Sequence, residues 1–438
     1  MSSPPSPPPQ TRPKMFYGWW IAVVGAVMQM LVGVLMNQSF GTYTKVLRDE
    51  FGWGRNVFSI AFSMARVETG FLGPIEGWLI DRWGPRRIMQ IGVVMLGIGM
   101  LMFSQLQSPA MFIASFLVMS IGASFASFMP VSVAIVNWFE RRRARALSVL
   151  SLGMASGGLL VPILIYCIQE VGWRQTAFGS GVLLVVVGLP LSFLIRHRPE
   201  DHGMHKDGID PATEELHADG RPAYVPQISF TAREAFRTRS FWFIALGHAS
   251  ALLIISALQV HMALHLTENL GYSLVQAGSV VAMIVTMQYV GQGITAVVGD
   301  RWSKKGIVVV CMVMHSTAIL LLAYATAFWM VVAFAALHGI AWGARGPLMA
   351  AIRADYFGGA NFGTIMGMSS LIAAIGTTIA PFIAGTLADY TGNYRAGFTV
   401  LAVMALLGSF FFIAASPPPL PGASDAPIEQ PEGVTAHV

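Results

Sequence analysis

Charge is what this sequence has least of. Only 11% of its 438 residues are Asp, Glu, Lys or Arg, against roughly 25% in a soluble domain. So little charge cannot cover a globular surface, which makes lipid the solvent for most of the chain. Cysteine is nearly absent, and Cys167 and Cys311 stand in separate apolar runs, which excludes a disulfide framework. Catalytic signatures are missing: there is no H-E-x-x-H, no G-x-S-x-G and no nucleotide-binding glycine loop. No enzyme chemistry, no cofactor and no direct use of ATP by that route follow from the residues. The net charge of +5 sits in short clusters between apolar runs, which speaks against a nucleic-acid partner. The N-terminal stretch lacks the basic–apolar–small order of a cleaved signal.

Apolar residues make up 55% of the chain, and the mean hydropathy is +0.62. Twelve apolar segments lie near 16–44, 57–80, 88–107, 109–138, 145–169, 174–195, 240–266, 274–298, 306–326, 328–354, 363–388 and 395–415. Each has the length for crossing a bilayer, about 20 residues. Backbone groups in lipid must be satisfied within their own segment, so the segments are expected to be helices. Residues 1–14 and 416–438 are expected to be disordered cytoplasmic tails, because neither holds enough apolar surface to fold. The polar stretch 197–239 reads as a cytoplasmic linker between two six-helix bundles, 15–196 and 240–415. Arg82, Arg86 and Arg87 follow segment 2, Arg141, Arg142, Arg143 and Arg145 follow segment 4, and Arg301, Lys304 and Lys305 follow segment 8. Basic loops stay in the cytoplasm, which places both termini there and the chain in the plasma (inner) membrane.

The two halves repeat. Asp81-Arg82-Trp83 returns as Asp300-Arg301-Trp302, Phe139 as Phe357, Pro162 as Pro381 and Arg174 as Arg395, always 217–221 residues later. A constant offset at four separated places implies duplication, the usual construction of secondary transporters.

With twelve segments around it, "GWLIDRWGPRR" at 77–87 resembles the signature loop of the major facilitator superfamily, and "GDRWSKK" at 299–305 falls where that family repeats it. The resemblance spans essentially the whole chain. It implies an all-α membrane protein of twelve transmembrane helices in two pseudo-symmetric six-helix bundles. It also implies a gating latch, with Gly77, Asp81 and Asp300 at its centre. Asp81 would accept hydrogen bonds from neighbouring helix ends, and Arg82, Arg86, Arg87 and Arg301 would supply counter-charge; the bland alternative for the arginines is topology alone. The first segment is similar to that of monocarboxylate and oxalate/formate transporters. It carries Tyr17-Gly18-Trp19-Trp20, Ser39-Phe40-Gly41-Thr42-Tyr43 and Glu50-Phe51. Gln38 stands where animal monocarboxylate carriers have lysine, and segment 8 lacks their Asp and Arg.

Ionisable residues inside a membrane are costly and mark function by default. Arg345 lies near the centre of segment 10. His338, Trp342 and Arg345 follow an i, i+4, i+7 spacing and share a face. Arginine matches a carboxylate in a bidentate way, so these three are expected at the substrate, with an interhelical pair to Glu68 or to a backbone carbonyl as the structural alternative. The duplicated position of Arg345 is Phe128, so a scaffold role does not recur. Arg66 and Glu68 in segment 2 sit about 200° apart on a helix, so only one can face a cavity squarely. Arg66 is assigned to substrate, or to helix pairing. Glu68 and His248 are assigned to proton coupling, or to helix pairing. Glu76 is read as part of the latch. Gln288, Gln292 and Thr295 follow an i, i+4, i+7 spacing and, with the adjacent Tyr289, suit a cavity wall or helix–helix hydrogen bonding, and Asn37 and Gln38 suit an entry path. His197, His202 and His205 read as a solvated loop rather than a metal site.

The expected function is secondary-active transport of a small organic anion, a monocarboxylate by proton symport, with anion exchange as the alternative. The expected partners are the anion, the proton and the lipid bilayer; nothing specifies an accessory protein. A membrane sensor on the same scaffold and a membrane enzyme are the readings from other classes.

Overall fold

A computed structural model describes residues 15–210 and 229–419. The expected tails and the middle of the expected linker lie largely outside the described residues. So do the side chains of Arg55, Ser59, Phe62, Arg66, Val67 and Thr69.

Among the described residues the chain is helical throughout, without a strand. The first six-segment half is α1 (Tyr17–Val32), α2 (Phe40–Phe51), α3 (Arg55–Trp83), α4 (Pro85–Ser104), α5 (Pro109–Ala126), α6 (Phe128–Trp138), α7 (Arg143–Val171), α8 (Trp173–Leu183) and α9 (Leu189–Phe193). Then follow α10 (Ala232–Arg237), α11 (Arg239–Leu264), α12 (Leu274–Val298), α13 (Lys304–Ala323), α14 (Phe328–Phe357), α15 (Phe362–Thr391) and α16 (Arg395–Ala414). Single π-helical turns at Gly33–Asn37 and Leu184–Gly188 fuse α1 to α2 and α8 to α9, and His265–Asn269 extends α11.

Eleven of the resulting helical segments are long and apolar enough to span a bilayer. The twelfth span is α3. It has the length at 29 residues, but Arg66, Glu68, Glu76, Asp81 and Arg82 dilute its apolar character.

Proline shapes several spans. Pro74, Pro162, Pro347 and Pro381 are held inside continuous helices. A proline removes the bond to the carbonyl four residues back, and that carbonyl needs another donor. For Pro381 the freed carbonyl is that of Thr377, and Ser256 Oγ on α11 donates to it at 2.5 Å. Segment 4 departs from the expected single helix. It breaks at Ser127 (φ −125°, ψ −104°) between α5 and α6, just ahead of Pro130.

The loops after α3, α6, α12 and α14 gather at one end of the bundle, here called the basic end. The helices on either side of residues 197–239 meet there. Glycines let α3 and α15 touch backbone to backbone. A Cβ on Gly77 would overlap the Gly363 carbonyl, and one on Gly367 the Gly73 carbonyl. Paired small residues four apart are the usual means of such a close crossing in membranes. Toward the opposite end this contact runs as far as Gly70 against Ala374.

Candidate functional site

The two copies of the charged knot engage each other's half in the same way. Asp81 at the end of α3 accepts hydrogen bonds from Gly363 N at 2.9 Å, Thr364 N at 2.7 Å and Thr364 Oγ1 at 2.7 Å. Asp300, just past α12, accepts from Ala144 N at 2.8 Å and Arg145 N at 3.0 Å. The donors are the first amides of α15 and α7, which are orphaned at a helix start and carry positive partial charge. Ala144 and Arg145 stand 219 residues before Gly363 and Thr364, so the duplication extends to the hydrogen bonds. Burial pushes the Asp300 carboxyl up, and the two amides offset only part of that.

Arg145 Nε also donates to Ala296 O at 3.0 Å, and Gln292 Nε2 to Ser151 O at 3.3 Å. Buried Arg143 reaches Asp355 at 2.9 Å, and Lys304 holds the same carboxylate at 2.6 Å. Gly77 lies in the α3–α15 crossing. Arg82, Arg86, Arg87 and Arg301 are exposed. Arg82 lies over the Trp78 ring at 5.2 Å and Arg86 over Phe193 at 4.7 Å. Neither arginine makes an ion pair with Asp81 among the described contacts.

Arg345 is buried on α14 at 1% exposure. Its Nη1 lies 2.7 Å from His248 Nδ1 on α11. Arginine can only donate, so His248 accepts at Nδ1 and keeps its own proton on Nε2. Arg345 Nε has no hydrogen-bond partner, and no carboxylate pairs with the guanidinium among the described residues. The alternative of an ion pair with Glu68 is therefore not what the structure contains: Glu68 Oε2 accepts from Ser120 Oγ on α5 at 2.7 Å.

His338 is buried and turns toward α13, where its Nδ1 meets His315 Nδ1 at 3.2 Å. One ring must donate and the other accept, so the two Nδ1 atoms share a single hydrogen. Trp342 packs on His338 with ring centroids 5.9 Å apart. Gln288 lies where α12 crosses α14, its backbone carbonyl against Gly343. Tyr289 OH and Gln292 Oε1 are buried without a hydrogen-bond partner. Asn37 is exposed at the end of the π turn. Gln38 instead bridges to α7, donating to Met154 O at 2.8 Å. The Arg66 side chain lies outside the described residues.

Glu76 departs from the expected place in the latch. It is 2% exposed and turns away from α15 to Ser124 on α5, which donates to Oε2 at 2.6 Å. Neighbouring residues on a helix point about 100° apart, so when Gly77 faces α15 Glu76 faces its own half.

Three groups escaped the sequence reading. His315 sits mid-segment, and the criterion that singled out His248 applies to it equally. Arg353 stands at the end of segment 10, where a charge is easily taken for topology. It is 2% exposed and donates to Ser369 Oγ from Nε at 3.1 Å and Nη2 at 2.6 Å. Asp355 links Arg143 to Lys304 between loops with no sequence likeness to each other.

The model of the Major Facilitator Superfamily matches residues 21–287 and 244–435. The fujikurins efflux protein of Gibberella fujikuroi is 26% identical over 399 residues, 89% of this chain and 80% of that protein. Monocarboxylate transporter 11 of Mus musculus is 24% identical over 427 residues, 93% of this chain and 89% of that one. The crystal structure of the human organic anion transporter MFSD10 (TETRAN) superposes with a TM-score of 0.68 at 17% identity, covering 92% of this chain and all of that one.

Proposed function

The chain belongs to the Major Facilitator Superfamily, and from that premise we propose that it carries small organic anions, monocarboxylates foremost, by proton symport. It is a membrane transporter rather than an enzyme. One observation carries the anion: Arg345 is buried in a span with its charge unmatched by any carboxylate among the described residues. Burying an unpaired ion costs several kcal/mol. A carboxylate substrate supplies the missing charge and fits the guanidinium fork. His248 holds the guanidinium by one N–H until that carboxylate arrives. Trp342 is the apolar neighbour on the same face, and Gln288, Tyr289 and Gln292 offer polar groups from α12. The likeness to monocarboxylate transporters along most of the chain favours the same class.

The test is uptake of labelled lactate, pyruvate, acetate, formate and oxalate into proteoliposomes, with and without an inward proton gradient. Gradient-stimulated accumulation of at least one acid is expected. No uptake of any of them under any gradient would contradict the reading.

The basic end is the cytoplasmic end in this account, because the arginine-rich loops lie there. The described state is closed on that side, with Asp81 and Asp300 as reciprocal latches. Latches that form in one state and break in the other bias the equilibrium between them. Asp81→Asn leaves one oxygen to accept and turns an amide N–H toward donors. Hydrogen bonds to a charged group are worth about 1.5–3 kcal/mol, so opening should rise roughly tenfold or more. The distance between spin labels at Trp83 and Ala360, both exposed beside the crossing, reads this directly. Asp300→Asn should open less, because the Arg143–Asp355–Lys304 cluster still ties that side.

A further inference from the structure

Two carboxylates of α3 turn toward α5 within the membrane. Glu68 Oε2 accepts from Ser120 Oγ at 2.7 Å, and Glu76 Oε2 accepts from Ser124 Oγ at 2.6 Å. Glu76 stands eight residues nearer the basic end, about 12 Å along the helix. Glu68 is partly exposed, whereas Glu76 is 2% exposed and its Oε1 has no hydrogen-bond partner.

The charged groups around Glu76 are few. The elements packed on α3 are α4, α5, α6 and α15. Helices α5 and α6 contain no titratable residue. On α4 the titratable residues are Arg86 and Arg87, both exposed in its first turn. On α15 they are Asp389 and Tyr390, in its last turn. On α3 the nearest are Glu68, Asp81 and Arg82, besides Arg66, whose side chain is not described. No cation meets the Glu76 carboxyl among the described contacts.

The other half supplies a control. Thr295 occupies the duplicated position, 219 residues on. Its hydroxyl donates to Ala344 O on α14 at 2.8 Å. The same helix crossing is therefore packed by a neutral hydroxyl in one half and by a carboxyl in the other. Packing alone does not call for the acid.

We propose that Glu76 is the site of the coupling proton, loaded through Glu68 and discharged at the basic end. The proposal rests on the symporter reading above and names the group that couples. With the basic end closed, Glu76 is sealed from water on that side and holds its proton. Gly77, the next residue, and Gly73, one turn back, are the contacts that part when α3 leaves α15. Parting admits water from the basic end, and the proton passes from the carboxyl to that water. After the halves close again, a proton from water at the opposite end enters at Glu68. Water entering from that opposite end bridges Ser120 and Ser124, one turn apart on α5, and hands the proton on to the Glu76 carboxylate. Each hop moves one proton between oxygens and breaks no other bond.

Glu76→Gln and Glu76→Asp in proteoliposomes test this alongside the unsubstituted protein. The acids are the five named above, and an entrapped dye reports proton movement. Glu76→Gln should retain exchange of labelled for unlabelled acid within threefold while losing at least nine-tenths of gradient-driven accumulation and of acid-induced proton entry. Glu76→Asp should restore part of both. Retained gradient-driven accumulation in Glu76→Gln would overturn the proposal, and so would loss of exchange together with accumulation in a folded variant. Infrared difference spectra of the purified protein against Glu76→Gln give a readout that needs no substrate. A protonated-carboxyl band that the Gln variant lacks is expected. Its absence overturns the proton site, whereas its presence without uptake of any acid would sink the monocarboxylate reading and leave the site standing.

Discussion

Arg345→Gln is expected to abolish carboxylate uptake while the protein still inserts and folds. Glutamine keeps a polar head near His248 but removes the charge and the fork. An anion then enters a buried site with nothing to neutralise it. Removing one partner of a buried ion pair costs about 3–5 kcal/mol, which is roughly a hundredfold to several thousandfold in affinity. Arg345→Lys should recover little, since an ammonium cannot make two parallel hydrogen bonds to one carboxylate. Initial uptake rates over a wide concentration range, normalised to folded protein by size-exclusion profile, check both variants. A folded Arg345→Gln protein with uptake within threefold of the unsubstituted chain would remove the arginine from the site. The substitution also relieves a strained burial, so the variant is expected to melt no lower than its parent in the absence of substrate.

Gly77→Val should hold the basic end open. The Cβ would overlap the Gly363 carbonyl, and both sides of that contact are backbone. Neither can swing aside as a flexible side chain would. Overpacking of a tight interface costs about 1–3 kcal/mol when the surroundings yield, and rigid backbone raises it. The halves can avoid the clash altogether by staying apart. Spin labels at Trp83 and Ala360, both exposed beside the crossing, should report a longer distance in Gly77→Val. Net transport should fall at least tenfold, because the closed state becomes the scarce one. An unchanged distance distribution with normal transport would show that the crossing is looser than it stands here. Gly41, with open space around its Cβ position, is the matching control: Gly41→Ala should change neither quantity.

The fold was legible where composition and repetition speak. Twelve apolar runs, basic loops and a constant offset suffice for the helical architecture, because lipid leaves the backbone few alternatives. The finer architecture followed interactions that no single run reveals. Segment 4 breaks at Ser127 while its duplicate passes Pro347 unbroken, although both contain the proline. The proline's effect depends on what satisfies the freed carbonyl, as Ser256 does for Thr377 in α15. Helix ends as partners of Asp81 were what the family likeness implied, and Asp300 carried no such expectation. Their exact reciprocity needed the three-dimensional contacts.

In the site, Arg345 stood out because an arginine at mid-span has no other explanation in lipid. Its partner did not. His248 lies 97 residues away on another helix, and no spacing rule links them. The facing directions of Glu76 and His338 were equally hidden. Glu76 lies one position from Gly77, and sequence adjacency suggested a common task. The helix instead sends them to different neighbours. His338 shares a face with Trp342 and Arg345 by spacing, yet its polar contact is the His315 ring on α13.

The most direct measurement is equilibrium binding of a labelled acid from the panel to the purified protein, in detergent and without any gradient. It separates recognition of the anion from coupling and gating. Saturable binding by the unsubstituted protein, weakened at least a hundredfold in Arg345→Gln and unaltered in Glu76→Gln, is the result this account predicts. Binding within twofold of the parent in a folded Arg345→Gln variant would contradict it.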